Sequence, residues 1–247
     1  MKLIEETIST FFDSNPYPIV TERDPEDGVY HARLVYPQKL PYRQISLMIG
    51  DCVHNMRAAL DYIAWELAGA NMDDTVTMFP IFDTDTEFAK SAGRRIKNVS
   101  PEDARTLIER LQPYSRRYGG HLLALSAINK LDISDKHKVL TVAIAVAQRL
   151  SCTHHVARRD SVTAKTYLLH YPGARLVHDA IIATFTVRPP IQEMEVNFKF
   201  TPEVEFANIH GFPAHAFVVP NLKKMMSSVD QVINRFRKFF PGYTEKE

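Results

Sequence analysis

The sequence predicts an α+β fold: a layer of helices over residues 1–150, then an antiparallel meander sheet and a closing helix over 151–247, joined as one globular unit. Three observations carry this. A long stretch, 45–67, holds apolar residues at helical spacing, with Ile45, Ile49, Met56, Leu60, Ile63 and Leu67 on one face. After Ser151 the period drops to two, most cleanly where Met194, Val196, Phe198 and Phe200 alternate with Glu193, Glu195, Asn197 and Lys199. Only 9 glycines occur in 247 residues, and no glycine-rich phosphate loop is among them, which argues against a nucleotide-cradling α/β sheet.

The elements follow in order. Residues 2–12 read as a short amphipathic helix that Pro16 ends, and 15–28, with three prolines, as a loop. A strand over 29–36 precedes the central helix at 45–67. Met78, Phe79, Ile81 and Phe82 form an extended apolar piece expected to plug the core. Thr84 and Glu87 make a capping box for a helix over 85–96, and Ser100-Pro101-Glu102-Asp103 starts another that stops before Pro113. Leu122, Leu125, Ile128 and Leu131 place a helix over 121–131, and the apolar run of 133–150 extends the helical layer. Strands are expected at 164–170, 176–187, 193–200, 203–207 and 215–219, and a basic amphipathic helix at 221–240.

The totals exclude several classes. A formal charge of +1 gives no global field toward nucleic acid or membrane, although local patches remain open. No apolar window approaches the roughly 18 residues of a membrane span, and Glu5, Glu6 and Asp13 rule out a signal-peptide pattern. Two cysteines far apart, Cys52 and Cys152, indicate no disulfide framework and suit the cytoplasm.

Two polar constellations could carry chemistry. On the central helix Asp51, His54, Ala58, Asp61 and Trp65 follow 3–4 spacing opposite the core face, with Asn55 and Arg57 beside them. Such a stripe should be buried or cleft-facing, its charges partnered. Asp51 is one turn from His54, and Arg57 and Asp61, four apart, form an expected ion pair. The second is Asn129 to Lys138, where eight of ten residues are polar between two apolar runs; Lys136 and His137 fit an acid–base group beside a phosphate-holding cation. Were the stretches to meet, His54, His137, Asp51, Asp61 and Asp135 would make a site able to hold a divalent metal in a bundle, though no HExxH or paired CxxC supports a resident metal. The alternative for both is structural: a network fixing helix register, and a solvated helix junction. Basic pairs are scattered at Arg94-Arg95, Arg116-Arg117, Arg158-Arg159, Lys223-Lys224 and Arg237-Lys238.

The run from Ile49 to Trp65 (IGDxxHNxRxALDxxxW), with Phe79-Pro80-Ile81, Leu111-Gln112-Pro113-Tyr114 and Asp135-Lys136-His137-Lys138, resembles a group of bacterial proteins of no established activity, whose last motif often reads DKHR. That resemblance implies that the central helix and Asp135-Lys136-His137 belong to one site. More loosely, the helical half is similar to the HEPN superfamily of helical bundles, many of them RNases, whose signature is Arg, four to six residues, then His on one helix. Arg149 to His154 and Arg116 to His121 have that spacing, whereas the central helix has His54 before Arg57. The expected function is therefore a metal-independent RNase or binder of RNA or another phosphate-containing ligand, with no cofactor. His54, His137, Asp51, Asp61 and Arg57 are its catalytic candidates, and Asn55, Asn129, Asp135 and Lys136 its ligand-binding ones. A second copy of the chain is a further candidate partner. The alternatives are a non-catalytic binding or assembly module and a metal-dependent bundle enzyme.

Overall fold

In the computed structural model the central helix, α2, spans Tyr42–Ala68 and ends at Gly69, whose φ of +56° suits a residue without Cβ. The structure describes residues 1–26, 28–35, 38–69, 76–115, 123–137, 143–155, 163–167, 176–188, 195–206 and 216–240; of 135–137, 143–155, 163–167, 185, 187–188 and 195–202 it describes the backbone alone. Ile45, Ile49, Val53, Met56, Leu60, Ile63, Ala64 and Leu67 of α2 are buried, as the 3.6-residue period requires.

Around α2 lie α1 (Lys2–Asp13), α5 (Leu123–His137) and α6 (Val218–Phe236), the last followed by a 3₁₀ turn at Arg237–Phe239. Two further helices, α3 (Asp85–Ile96) and α4 (Glu102–Arg110), flank this group. The expected cap holds α3: Thr84 Oγ1 accepts the Glu87 N–H at 3.2 Å and donates to Glu87 Oε2 at 3.0 Å. Between α2 and α3 runs a strap, 77–82, in which Phe79 and Ile81 are buried, so the extended piece plugs the core as expected. One hydrophobic core joins α1, α2, α3, α4, α5 and α6 with the strap and the end of β6 (Glu195–Phe206), through Val204 and Phe206.

The remaining strands are β1 (Ile19–Arg23), β2 (Tyr30–Leu34), β3 (Ala143–His155), β4 (Thr163–Tyr167) and β5 (Ile181–Arg188). They are antiparallel throughout and make two sheets, ordered β1-β2-β5-β4 and β3-β6. The early strands therefore join the later ones instead of staying with the helical half. Tyr17, Ala32, Leu34, Ile182 and Ala183 form a small second core under the four-stranded sheet.

Four expectations need correction. The prolines at 16, 18 and 25 suggest a loop across 15–28, yet β1 fits between them, as an edge strand tolerates. The apolar run after residue 133 is not a second helix: α5 ends at His137 and Ala143–His155 is a strand. Its β-branched Ile144 and Val146 alternate with Ala143, Ala145 and Ala147 and pair with β6, and a short apolar run reads equally as helix or strand without its partner. Thr201-Pro202 does not break the chain either; Pro202 sits inside β6 opposite Ala147, beside a register shift in a two-stranded sheet, the bulged edge setting in which a strand tolerates proline. The strand expected at 215–219 reduces to a single bridge between Glu205 and Phe217 before α6 begins.

Candidate functional site

The C-terminal part of the α2 polar stripe, with Arg57, Asp61 and Trp65, faces the strap. Arg57 is 6% exposed, and its Nη2 donates to Asp61 Oδ1 and to the Phe79 carbonyl, both at 2.5 Å. Asp61 Oδ1 also accepts the Phe79 N–H at 2.9 Å, and Trp65 Nε1 donates to the Thr77 carbonyl at 2.6 Å. The expected Arg57–Asp61 pair is thus present, and it holds backbone as well as charge. From the other side Gln112, fully buried at the end of α4, donates to the Pro80 and Ile108 carbonyls at 2.8 and 3.0 Å and accepts the Phe82 N–H at 3.0 Å. An extended segment with no sheet partner has its backbone groups satisfied by these side chains.

The strap, α2, α3 and α5 enclose a cleft of about 630 Å³, lined by Arg57, Asp61, Phe82, Asp83, Arg95, Asn129, Lys130 and Asp132 among others. The two constellations meet here. They meet through the first turn of the second stretch: Asp132 is buried, and its Oδ1 lies 3.4 Å from His54 Nδ1. The imidazole itself is 60% exposed and does not line the cleft; it touches it through Asp132, the carboxylate that fixes its orientation. Lys130 Nζ pairs with Asp83 Oδ2 at 3.0 Å. Burial would raise the Asp83 carboxyl, but bonds from Ser126 and Lys130 prevail and hold it below its ordinary value.

Two groups in the cleft are electrostatically uncomfortable. Burial raises the Asp61 carboxyl above its ordinary value despite Arg57 and the Phe79 N–H, and the Asp132 charge adds to this. Burial also lowers the Arg95 guanidinium, and the nearby Arg57 charge lowers it further. Arg95 lies 4.8 Å above the Phe82 ring and makes no salt bridge among the described residues. Arg57 Nη1 is buried and has no hydrogen-bond acceptor among the described residues.

Other sequence candidates fall elsewhere. Asp51 and Asn55 are exposed and line a separate, mostly apolar groove with Met1, Cys52 and Met226, between α1, α2 and α6. Asn55 and Asp61 are six residues apart, about 120° around the helix, so they cannot share the cleft. The carboxylate of His54 is Asp132, not Asp51. Asp135, Lys136 and His137 close the last turn of α5, and their side chains lie outside the described residues. Arg149 and His154, one of the two HEPN-like spacings, lie on strand β3 and not on a helix; Arg116 and His121 lie outside the described residues. Among the described residues no three His, Cys, Asp or Glu side chains cluster as a metal site. None of the helices described is long and apolar enough to cross a membrane.

Asp132, Gln112 and Arg95 are the residues that sequence reasoning left without a role. Asp132 lies one turn after Asn129 within the polar stretch, and Arg95 within a basic pair, so each had a signal. Gln112, inside the LQPY run, had none in its spacing. No family model matches this chain, and no curated protein or solved structure shows significant similarity to it.

Proposed function

We propose that the cleft between α2, α3 and α5 binds a phosphate-containing ligand, RNA being the class that fits it best. The observation that carries this reading is Arg57: a buried guanidinium on the cleft wall with an N–H group that finds no acceptor. Leaving such a donor unmet costs on the order of 1–3 kcal/mol, and a phosphate oxygen is the acceptor guanidinium geometry suits best. Arg95 adds a second guanidinium that feels the Asp61 charge but makes no salt bridge among the described residues; it lies over Phe82, and a planar cation on an aromatic ring is a surface on which a base stacks. The cleft volume lies within the range of small-molecule and nucleotide sites.

His54 favours a second reading, a metal-independent ribonuclease. Its Nδ1 faces buried Asp132 of the cleft wall, which leaves Nε2 as the proton-transfer atom. The binding reading ranks first because a ribonuclease needs a second proton-transfer group at the same phosphate. Asp61, which retains its proton more readily than an ordinary carboxyl, is seven residues along α2, about 10 Å away on the axis. The sequence offers His137 for that second role.

Fluorescence anisotropy with a labelled U8 oligonucleotide tests the first reading. Arg95→Gln is expected to weaken binding about tenfold with little loss of stability, since no ion pair is broken. Incubation of a mixed RNA pool with wild type and His54→Ala, with and without EDTA, tests the second. Cleavage lost in the variant and spared by EDTA supports the ribonuclease; binding without cleavage supports the binder. Failure of the wild type to bind U8 overturns both and leaves the α2 stripe as a structural clamp in an assembly module.

A further inference from the structure

We propose that Lys90, Arg94 and Arg95 on α3 form a second anion subsite, continuous with the cleft through Arg95, that takes the neighbouring phosphates of a bound single-stranded RNA. The proposal rests on the RNA reading of the cleft and extends it from a single phosphate to a strand.

Beside the cleft lies a second depression of about 420 Å³, lined by Val76, Met78, Lys90, Ser91, Arg94 and Arg95. It shares Met78, Ser91 and Arg95 with the cleft, so the two hollows meet along one side of α3. Its lining has three cations and no carboxylate. Some cations of this chain sit beside carboxylates, as Lys2 does with Glu6, Arg33 with Glu22 and Asp179, Arg105 with Glu102 and Lys223 with Glu5, whereas exposed Lys39, Arg43, Arg110 and Lys224 make no salt bridge among the described residues; what marks the three on α3 is that they line one hollow together. Lys90, Arg94 and Arg95 make no salt bridge among the described residues. The helix dipole gives a structural reason for Arg94 and Arg95 in the last turn of α3, worth a fraction of a kcal/mol each. It gives none for Lys90, which lies a full turn earlier. Lys90 and Arg94 are four apart, so their side chains rise from α3 about 6 Å from each other, a row of donors along the hollow. Point charges of this kind read the phosphodiester backbone without reading sequence.

The test is anisotropy of labelled U8 over a salt series, with the dinucleotide pUpU as competitor, on wild type and Lys90→Gln/Arg94→Gln. Both residues are exposed, so the variant keeps its fold, which circular dichroism checks. Removing two phosphate contacts should make the slope of log affinity against log salt shallower by about 1.4 and weaken U8 binding on the order of tenfold at 0.1 M salt. Binding of pUpU, which fits the cleft alone, should not change. Unchanged U8 affinity and slope in the variant, with wild type still binding, overturn the subsite and leave the cleft reading standing. A wild type that binds neither U8 nor pUpU overturns the cleft reading and this extension together.

Discussion

Replacing Arg57 with alanine is expected to cost about 4 kcal/mol of folding stability at pH 7. The change removes one partner of a buried ion pair, which costs about 3–5 kcal/mol because the other charge stays behind. Asp61, 22% exposed by its side chain, keeps some contact with water, which moves that part toward the lower end. The Phe79 carbonyl loses the Nη2 donor as well, adding about 1 kcal/mol or more. Against a total stability of roughly 5–15 kcal/mol, this loss is large. It should also depend on pH, with a definite sign. Asp61 already titrates above its ordinary value of 3.8, with burial the largest cause, and losing Arg57 must raise it further. A carboxyl raised in the folded state favours folding fully below its unfolded value, and that contribution disappears as pH rises through the folded value. The Arg57→Ala deficit should therefore be smallest near pH 4 and grow toward pH 7. Urea midpoints at the two pH values measure it. A deficit under about 1 kcal/mol, or one equal at both pH values, would show that the pair does not hold the strap. The double replacement Arg57→Met/Asp61→Leu should recover much of the loss, because no charge is left behind.

That argument uses the part of the site most legible in the sequence. Arg57 and Asp61 are four apart on one helix, so their meeting needs nothing beyond helical geometry. The same locality makes α2, the α3 cap and the apolar strap readable. What the pair holds is not readable: that Phe79 supplies both a carbonyl and an N–H follows from where the chain goes after α2. Gln112 is a stronger case, since its three bonds join backbone groups 30 and 32 residues away to its own helix. His54 shows how a local rule misleads. Asp51 lies one turn away on the same helix, yet His54 faces Asp132, 78 residues on, because α5 packs along that flank of α2. The run 133–150 reads as helix throughout, yet Ala143 onward is strand for a related reason, since a strand is decided by its partner and β6 lies about 50 residues further along.

Phe79→Ala is expected to cost a comparable 3–5 kcal/mol, the usual range for truncating a buried phenylalanine. The ring is fully buried and meets Phe236 of α6 edge to face, with centroids 6.2 Å apart. The side chain thus ties the strap to α6 while its backbone ties it to α2. Phe236→Ala empties the other half of the same contact and should cost about as much. The two differ in what else they disturb. Phe79 sits between Met78 and Ile81-Phe82, which line the cleft, so its truncation should weaken U8 binding as well as stability. Phe236→Ala leaves the polar anchors of the strap untouched and should spare binding at temperatures where the variant is folded. Urea unfolding of both single variants and the double gives the coupling between the rings, expected at about 0.5–1.5 kcal/mol. If the double variant loses the full sum, the rings act independently and the polar anchors Arg57, Asp61, Trp65 and Gln112 place the strap. A clear coupling means instead that the cleft wall is positioned from α2 and α6 together, so that a change in the packing of α6 is felt where the ligand binds.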